Sequence, residues 1–225
     1  MPSHIAICGW NENGVRLLRD LLRSDPRPSI SIVSLPAPRL EHHSDLVDIF
    51  EMDPSTQAGL DAAGVAAADV AVVLADTTRV RPQDVDARTI LTVLAIERAR
   101  PEIHTIAELL NEDNMFHAYN AGVDEVLIAD AYIGGVLSQA VCRPGMTEVF
   151  SNLFRSGSGS RIVERPVGAG AGKRFSALSG TLYAAEEGVL IGYRRGDELH
   201  LSPQEDAVLS QTDRVILLQR MPERS

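Results

Sequence analysis

The sequence predicts an α/β protein whose first part is a Rossmann-like, doubly wound parallel sheet. Short apolar runs alternate along the chain with segments whose apolar residues recur at helical spacing. Aromatic residues make up only 4% of the chain, so the core must be built from Ala, Val, Leu and Ile, as is typical of buried parallel sheets. The first apolar run ends in a glycine turn that leads into a helical pattern, as it does in nucleotide-binding folds.

Six strands and four helices are expected in this first part. The predicted strands are Ile5–Cys8, Ser29–Leu35, Leu46–Phe50, Asp69–Ala75, Ile103–Ala107 and Val126–Ile128. The predicted helices cover Val15–Leu22, Gln57–Ala63, Thr89–Arg98 and Asn114–Asn120. A polar loop carrying Asp84 and Asp86 is expected before the third helix, and Gly122 is expected to end the fourth.

The pattern changes from Tyr132 onward. Two helical segments are predicted at Ile133–Val141 and Met146–Leu153, followed by a Ser- and Gly-rich linker at Ser156–Ser160. Short strands separated by turns then predict a small α+β subdomain; they are Ile162–Val167, Leu182–Tyr183, Val189–Tyr193, Glu198–Leu201 and Val215–Leu218. We therefore expect a Rossmann-like lobe over residues 1–130, a helix pair over 131–157 and a C-terminal subdomain over 158–225.

Composition limits the partners of the chain. It carries 31 acidic against 21 basic residues, a net charge of −10, which argues against a nucleic-acid-binding surface. Cys8 and Cys142 belong to no metal-spaced pair, and isolated thiols fit a reducing cytosol. No apolar segment approaches the roughly 20 residues needed to cross a bilayer, so we expect a soluble chain without direct membrane insertion.

The glycine turn Gly9-Trp10-Asn11-Glu12-Asn13-Gly14 is the first candidate site, with Gly9, Trp10, Asn11 and Gly14 as its cofactor-binding residues. A dinucleotide fold has three glycines here, the second of which lets the backbone approach a pyrophosphate. Asn11 takes that second position, and the acid usually found at the end of the second strand is missing from Leu35–Pro38. The turn is therefore either a retained nucleotide pocket or an element of architecture alone.

Three acids follow successive predicted strands: Asp53, Asp76 and Glu108. The carboxyl ends of parallel strands meet at one crevice, where these groups could ligate Ca²⁺ or accept from ribose hydroxyls. The alternative is that each acid only caps the following helix. We assign Asp53 and Asp76 to cofactor binding, and Asp76 and Glu108 to metal binding.

Catalytic patterns are lacking in the sequence. The only lysine, Lys173, does not stand four residues after a tyrosine, as many Rossmann reductases require. His42 and His43 lie in a polar segment without a partner. Gly168–Lys173 fails the spacing of a phosphate-binding P-loop and is expected to be a loop. No enzymatic function is predicted.

Several segments, in order along nearly the whole chain, resemble an RCK domain, the regulator of K⁺ conductance of the TrkA-N and TrkA-C type. They are Cys8-Gly9-Trp10, which is similar to the potassium-channel-attached branch, Asp53-Pro54-Ser55, Asp86–Thr89, Ala121–Leu127, Val189–Leu199 and Gln211–Leu218. The resemblance implies a cytosolic, ligand-sensing gating domain of a potassium channel or K⁺ transport system. It would lie at the inner face of the membrane, through a pore in the same polypeptide or a separate subunit.

The resemblance also implies dimers or a larger ring. The two helices after the sixth strand would cross over and pack on a partner through Val136, Leu137, Val141, Val149, Phe150 and Leu153. The alternative is that these residues pack against the C-terminal subdomain of the same chain.

The ligand is left open between Ca²⁺ and an adenine nucleotide such as NAD, ATP or ADP. The family's calcium site has an Asp ending the fourth strand and two Glu ending the fifth. Here those positions hold Ala75, next to Asp76, and Glu108, with Leu110 in place of the second Glu. Two alternative functions are an NAD(P)-dependent oxidoreductase or epimerase and a ligand-free assembly module.

Overall fold

The computed structural model describes residues 2–23, 27–40, 44–78, 81–154, 160–203 and 206–220. The chain divides into two compact units, Met1–Gln139 and Ala140–Ser225. His42, His43 and most of the predicted linker at Ser156–Ser160 lie outside the described residues.

The first unit contains a six-stranded sheet in which every paired strand is parallel to its neighbour. The strands are β1 (His4–Cys8), β2 (Ser29–Val33), β3 (Val47–Phe50), β4 (Val70–Val73), β5 (His104–Leu109) and β6 (Glu125–Ile128). Their order is β3-β2-β1-β4-β5-β6, so the strand order reverses between β1 and β4. The predicted doubly wound sheet is confirmed, and its reversal creates the crevice in which such folds bind ligands.

Helices connect most of these parallel strands, and the last helix follows β6 and runs past residue 139. They are α1 (Glu12–Leu21), α2 (Gln57–Ala62), α3 (Pro82–Ala99), α4 (Met115–Asn120) and α5 (Ala129–Cys142), with short 3₁₀ helices at Val65–Ala67 and Glu112–Asn114. Gly122 follows α4 with a φ of 102°, the left-handed conformation expected of a residue that ends a helix.

The sheet separates two apolar layers, as its alternating side chains require. One layer joins Ile5, Ile7, Ile30 and Ile32 to Leu18 of α1 and to Leu74, with Trp10 packed against them. The other joins alternate residues of the same strands to α2, α3 and α4; they include Ala6, Cys8, Val33, Ala71, Val73, Leu60, Val93, Ile96 and Ala118. Burial of small aliphatic residues on both faces explains the low aromatic content.

Two expected features of the first unit are corrected. Asp84 and Asp86 do not lie in a loop but in the first turns of α3, which begins at Pro82 because proline is favoured at the first helical position. Helix α5 begins at Ala129, directly after β6, rather than at Ile133.

The second unit contains an antiparallel four-stranded sheet in the order β7-β10-β8-β9. Its strands are β7 (Ser160–Pro166), β8 (Val189–Arg195), β9 (Glu198–Leu201) and β10 (Arg214–Arg220), and its helices are α6 (Met146–Phe154) and α7 (Phe175–Ala184). Helix α7 overturns the strand predicted at Leu182–Tyr183. Leu178 and Leu182 lie one helical turn apart, and both are buried against β8 and β10 residues such as Leu190 and Leu217.

Gly168–Gly170, expected to be part of a loop, forms a 3₁₀ turn in the second unit. Gly170 is buried, and a Cβ there would lie 2.7 Å from a methyl group of Leu178. The glycine of this segment therefore serves close packing onto α7.

Candidate functional site

The turn from β1 into α1 needs its first glycine. Gly9 has a φ of 82°, and a Cβ there would lie 2.8 Å from the carbonyl oxygen of Leu74. The close approach joins the ends of β1 and β4, because Leu74 also donates its backbone N–H to the carbonyl of Cys8. Any side chain at position 9 would push these strand ends apart.

Gly14, the last glycine of the turn, allows Trp10 and Leu74 to pack closely against the start of α1. A Cβ on Gly14 would lie 3.0 Å from the ring of Trp10 and 2.9 Å from a methyl of Leu74. The half-buried Trp10 thus packs over the first turn of α1 and against the Ile5 and Ile7 layer. This predicted cofactor-binding residue is therefore partly covered by the apolar layer.

Asn11 caps helix α1 with its own side chain. Its Oδ1 accepts from the backbone N–H groups of Asn13 and Gly14, at 2.9 and 3.1 Å. Its Nδ2 donates to the carbonyl of Ala75 and to Glu108, at 2.9 and 2.7 Å. The residue that replaces the second glycine therefore both satisfies the helix N-terminus and ties it to β4 and β5.

Glu108 lies within β5, and its residue is only 8% exposed. Its carboxylate accepts from Asn11 Nδ2, from Asn13 Nδ2 at 2.6 Å and from the backbone N–H of Ala75 at 3.0 Å. All three donors are uncharged. A negative group thus stands beside the N-terminus of α1, where the helix dipole favours it.

Asp53 lies after β3 and faces a cation on α3. Both carboxylate oxygens accept from Arg88 Nη2, each at 2.9 Å, and Oδ1 also accepts from the backbone N–H and hydroxyl of Ser55. Burial alone raises the pKa of Asp53, but the hydrogen bonds from Ser55 and Arg88 outweigh it and the net pKa is lowered. Asp53 is therefore ionised at neutral pH.

Asp76 follows β4 and shapes the next turn. Its Oδ1 accepts from the backbone N–H and the hydroxyl of Thr78, at 2.9 and 2.6 Å. No described residue donates to its Oδ2. Asp76 is half-buried at the edge of the crevice.

Several of these elements border a shallow, open cleft whose enclosed space is only about 20 Å³. Its lining comes from the ends of β1, β2 and β4, the turn after β3 and the first half of α3; it is Cys8, Gly9, Leu35, Pro54, Val73, Leu74, Asp76, Val85, Arg88, Thr89 and Thr92. Gly9 and Asp76 of the predicted cofactor-binding set thus meet in one cleft, with the Asp53–Arg88 pair beside it.

Metal ligands are not gathered in the same way. Among the described residues, no group of three or more His, Cys, Asp or Glu side chains is placed to hold an ion. Both oxygens of Glu108 already accept hydrogen bonds, and Asp76 Oδ1 is used by Thr78.

Sequence reasoning missed Arg88 and Asn13 as parts of this site. Arg88 was recognised only within the segment Asp86–Thr89, with no role of its own. The start of α3 could have pointed to Arg88. If the helix is recognised to begin at Pro82, Arg88 falls in its first half, the part nearest the strand ends.

The predicted interface residues lie on two helices that leave much apolar surface uncovered. No residue of α5 is buried; Leu137 is 59% exposed and Val141 84%. Val149 of α6 is also exposed, whereas Val136, Phe150 and Leu153 are half-buried. Among the described residues, no helix is both long and apolar enough to cross a membrane.

The sheet order and the cleft define a Rossmann-type domain with a ligand crevice at its strand reversal. The chain belongs to the TrkA-N domain family, whose sequence profile matches residues 5–129. The predicted resemblance to RCK domains is thereby confirmed. Calcium-gated potassium channel TvoK of Thermoplasma volcanium is 26% identical over 150 residues, which cover 66% of this chain and 42% of that protein.

Solved structures agree on the fold. The human SLO3 gating ring superposes on 96% of this chain with a TM-score of 0.74 at 16% identity, covering 44% of that chain. The TrkA-N domain of inner membrane protein ybaL from Escherichia coli matches 63% of this chain and 98% of its own, with a TM-score of 0.50 at 14% identity. The chain thus spans less than half the length of the channel relative and of the gating-ring chain.

Proposed function

We propose that this chain is a cytosolic, ligand-sensing gating domain of a potassium channel or K⁺ transport system and that it catalyses no reaction. The observation that carries the proposal is the cleft at the β1/β4 reversal, which has polar groups at its edges and apolar walls. The TrkA-N family membership and the potassium-channel relative support it.

Gating requires that the ligand bind one state of the assembly more tightly than another. The cleft is built from the ends of β1, β2 and β4 and from α3, so a ligand there contacts separate elements of the first unit. A differential affinity of about 1–3 kcal/mol per site is typical of coupled systems and is enough to shift a two-state pore.

Self-association rests on α5 and α6. Ile133, Leu137 and Val141 recur at four-residue spacing along α5 and are all exposed, an arrangement that a second copy would cover. The proposed interface comprises Val136, Leu137, Val141, Val149, Phe150 and Leu153, in a homodimer or a larger ring.

The pore lies outside this chain. The match to TvoK leaves more than half of that channel protein unaccounted for. The pore would be another part of the same polypeptide or a separate subunit, and it would hold this domain at the inner face of the membrane.

The proposed ligand is an adenine nucleotide such as NAD, ATP or ADP, because the oxygens that would hold Ca²⁺ are already engaged. TvoK is named a calcium-gated channel, and a calcium site in this chain would need Asp76 and Glu108. The oxygens of Glu108 already accept from three donors, so calcium binding would require that network to open.

A ligand-free assembly module is the second candidate. Asn11 and Glu108 fill the N-terminus of α1, where a pyrophosphate would otherwise bind. The oxidoreductase alternative has no such support, and the relative TvoK is named a potassium channel.

Calorimetry against Ca²⁺, NAD, NADH, ATP and ADP tests the ligand-sensing function. We expect saturable binding of a nucleotide by the wild-type chain and its loss in Asp53→Ala. Asp84→Ala, on the surface near the start of α3, serves as the matched control and keeps binding. Loss only in Asp76→Ala and Glu108→Ala would indicate calcium instead, and no binding of any of these compounds would leave the assembly module.

Light scattering after size exclusion tests self-association. We expect the wild type to be a dimer or larger, and Leu137→Asp to shift it toward the monomer because a charge would be buried at the interface. Ser138→Asp adds the same charge to an exposed neighbour on α5 and leaves the assembly intact. A wild-type monomer at high concentration contradicts the interface.

A further inference from the structure

We propose that the second unit has a binding site of its own, for a small, uncharged aromatic compound, in a cavity beside the start of α7. The cavity contains about 250 Å³ of space, against about 20 Å³ in the cleft of the first unit. Its described lining is Phe175, Leu190, Ile191, Ser202 and Pro203. The inference is independent of ligand sensing at the cleft.

A bulge in β8 brings two consecutive side chains to this cavity. Strict alternation along a strand would place Leu190 and Ile191 on opposite faces of the sheet. The pairing of β8 with β10 is irregular here: Leu190 pairs with Leu217 and Gly192 with Ile216, so Ile191 is an extra residue between the two pairs. Such a β-bulge redirects the side chains around it. Leu190 and Ile191 therefore line the same cavity.

The turn after β9 is fixed to the bulge. The backbone N–H of Ser202 donates to the carbonyl of Ile191 at 2.8 Å. Ser202 has a φ of 46°, a left-handed conformation that is uncommon for a residue with a Cβ. Pro203 follows and forms part of the wall. Two departures from regular backbone geometry thus meet at the cavity, and departures of this kind are concentrated at functional sites.

The lining favours an uncharged, mostly apolar ligand. Phe175, Leu190, Ile191 and Pro203 offer carbon surface, and the hydroxyl of Ser202 is the one polar side-chain group of the described lining. No Asp, Glu, Lys, Arg or His belongs to that lining, so a charged ligand would lose hydration without gaining an ion pair.

An aromatic ring has a ready partner in Phe175. The ring of Phe175 already contacts that of Tyr193, with their centroids 6.1 Å apart, which holds it in place. Aromatic rings attract one another in stacked and edge-on arrangements. The hydroxyl of Ser202 can donate or accept one hydrogen bond with a polar substituent of the ligand.

The space available matches a small ring compound. A dry cavity of about 150 Å³ lined by Leu, Ile and Phe is large enough to bind benzene. The cavity here, at about 250 Å³, has room for a ring with a substituent but lies below the roughly 300–1,000 Å³ of sites for drug-sized ligands. The ligand class is therefore a single aromatic ring with one uncharged polar group, and phenol is its simplest probe.

Methyl NMR of the full chain tests the site directly. Phenol is titrated into protein with isotope-labelled Leu and Ile methyl groups. We expect shifts at Leu190 and Ile191 but none at Leu60 or Ile96 in the core of the first unit, with a Kd on the order of 1 mM for so small a ligand. Benzoate, a charged compound of similar size, should bind about 10-fold more weakly or worse.

A matched pair of variants tests whether the cavity itself is the site. Ile191→Trp fills the space and should weaken phenol binding by about 10-fold or more. Val189→Trp makes the same substitution on the same strand, at a side chain that is 45% exposed and is not part of the lining, and should leave binding unchanged.

Three results would overturn the inference. They are the absence of phenol-induced shifts at both Leu190 and Ile191, equal weakening by Ile191→Trp and Val189→Trp, and benzoate binding as tight as that of phenol. The wild-type spectra decide the first and third even if Ile191→Trp does not fold. Nucleotide titrations at the cleft are a separate measurement, so failure here leaves the proposed function intact, and the reverse also holds.

Discussion

The two units hold their buried acids in different ways. In the first unit, Asp86 and Glu108 are 4% and 8% exposed, and the donors that the described residues offer them are all uncharged. In the second unit, Asp213 is fully buried and paired with Arg195. The first arrangement leaves negative charge inside the domain, whereas the second neutralises it.

Asp86 shows how the first arrangement works. Its oxygens accept from the backbone N–H groups of Leu110 and Asn111 and from Asn114 Nδ2, at 2.8, 3.0 and 2.7 Å. The carboxylate thereby fixes the loop after β5 onto α3. Glu108 does the same for the N-terminus of α1, so each acid joins two elements without a cation.

Asp213 works as a cross-link between strands. It accepts from Arg195 Nε and Nη2 at 3.0 and 2.7 Å, and from the backbone N–H and hydroxyl of Ser210. The hydrogen bonds from Arg195, with smaller contributions from Ser210, hold the pKa of Asp213 far below its usual value despite its burial. Arg195 also lies over the ring of Tyr193, which links the ion pair to the core of the second unit.

The difference indicates a division of roles. In the second unit, Arg195 neutralises the charge of Asp213, and the pair stabilises this unit. In the first unit, the Glu108 carboxylate stands beside the start of α1 and disfavours an anion at that helix N-terminus. The following variants test this comparison.

The largest effect is expected from Asp213→Ala. Removing the fully buried acid leaves the Ser210 turn without its acceptor and Arg195 with the Val208 carbonyl alone, at a cost of roughly 2–4 kcal/mol in the free energy of unfolding. Urea unfolding followed by circular dichroism measures it, and amide exchange in β8 and β10 assigns the loss to the second unit. Gln211→Ala, an exposed neighbour, is the control and should change stability by less than about 0.5 kcal/mol.

Lowering the pH should gradually remove the stabilisation that the Asp213 carboxylate provides. Because the folded pKa of Asp213 is lowered, its stabilisation is complete above the unfolded pKa of about 3.9 and is lost as the pH falls below that value. Thermal unfolding of the wild type and Asp213→Asn between neutral and acid pH provides the measurement. The two proteins should converge as the pH falls; a constant difference would contradict the charge pairing.

A smaller effect is expected from Glu108→Gln. The carboxamide turns an N–H₂ group toward donors that need an acceptor, which costs roughly 1–3 kcal/mol in the first unit. Glu112→Gln, an exposed change in the 3₁₀ turn after β5, is the control for the loss of charge. Equal losses in the two variants would show that the hydrogen-bond network at Glu108 contributes nothing.

Asn13→Ala should have the smallest effect of the series. It removes one of the three donors to Glu108 from an exposed side chain, for about 0.5–1 kcal/mol by urea unfolding. Arg16→Gln on the exposed face of α1 should be neutral. If Asn13→Ala lowers the free energy of unfolding as much as Glu108→Gln does, the Asn13–Glu108 hydrogen bond alone would account for the stabilisation by this network.

Much of the fold could be predicted from the sequence because the strands are short, apolar and regularly spaced. The topology alone predicted that Asp53 and Asp76 would lie at the carboxyl-terminal edge of the sheet. Helix α7 was missed because its Ser, Gly and Thr residues obscure the spacing of Leu178 and Leu182. The dual role of Asn11 depends on Ala75 and Glu108, which are distant in sequence, so no local pattern could reveal it.

Trp10 is the only tryptophan in the chain, and it packs over Gly14 at the turn between β1 and α1. Its fluorescence therefore reports from a single place, next to the Asn11 cap at the start of α1. Any rearrangement of that turn changes the environment of the indole, so emission wavelength and quenching follow the turn in real time. The packing of one aromatic ring on a glycine thus equips the domain with an intrinsic optical probe that needs no label.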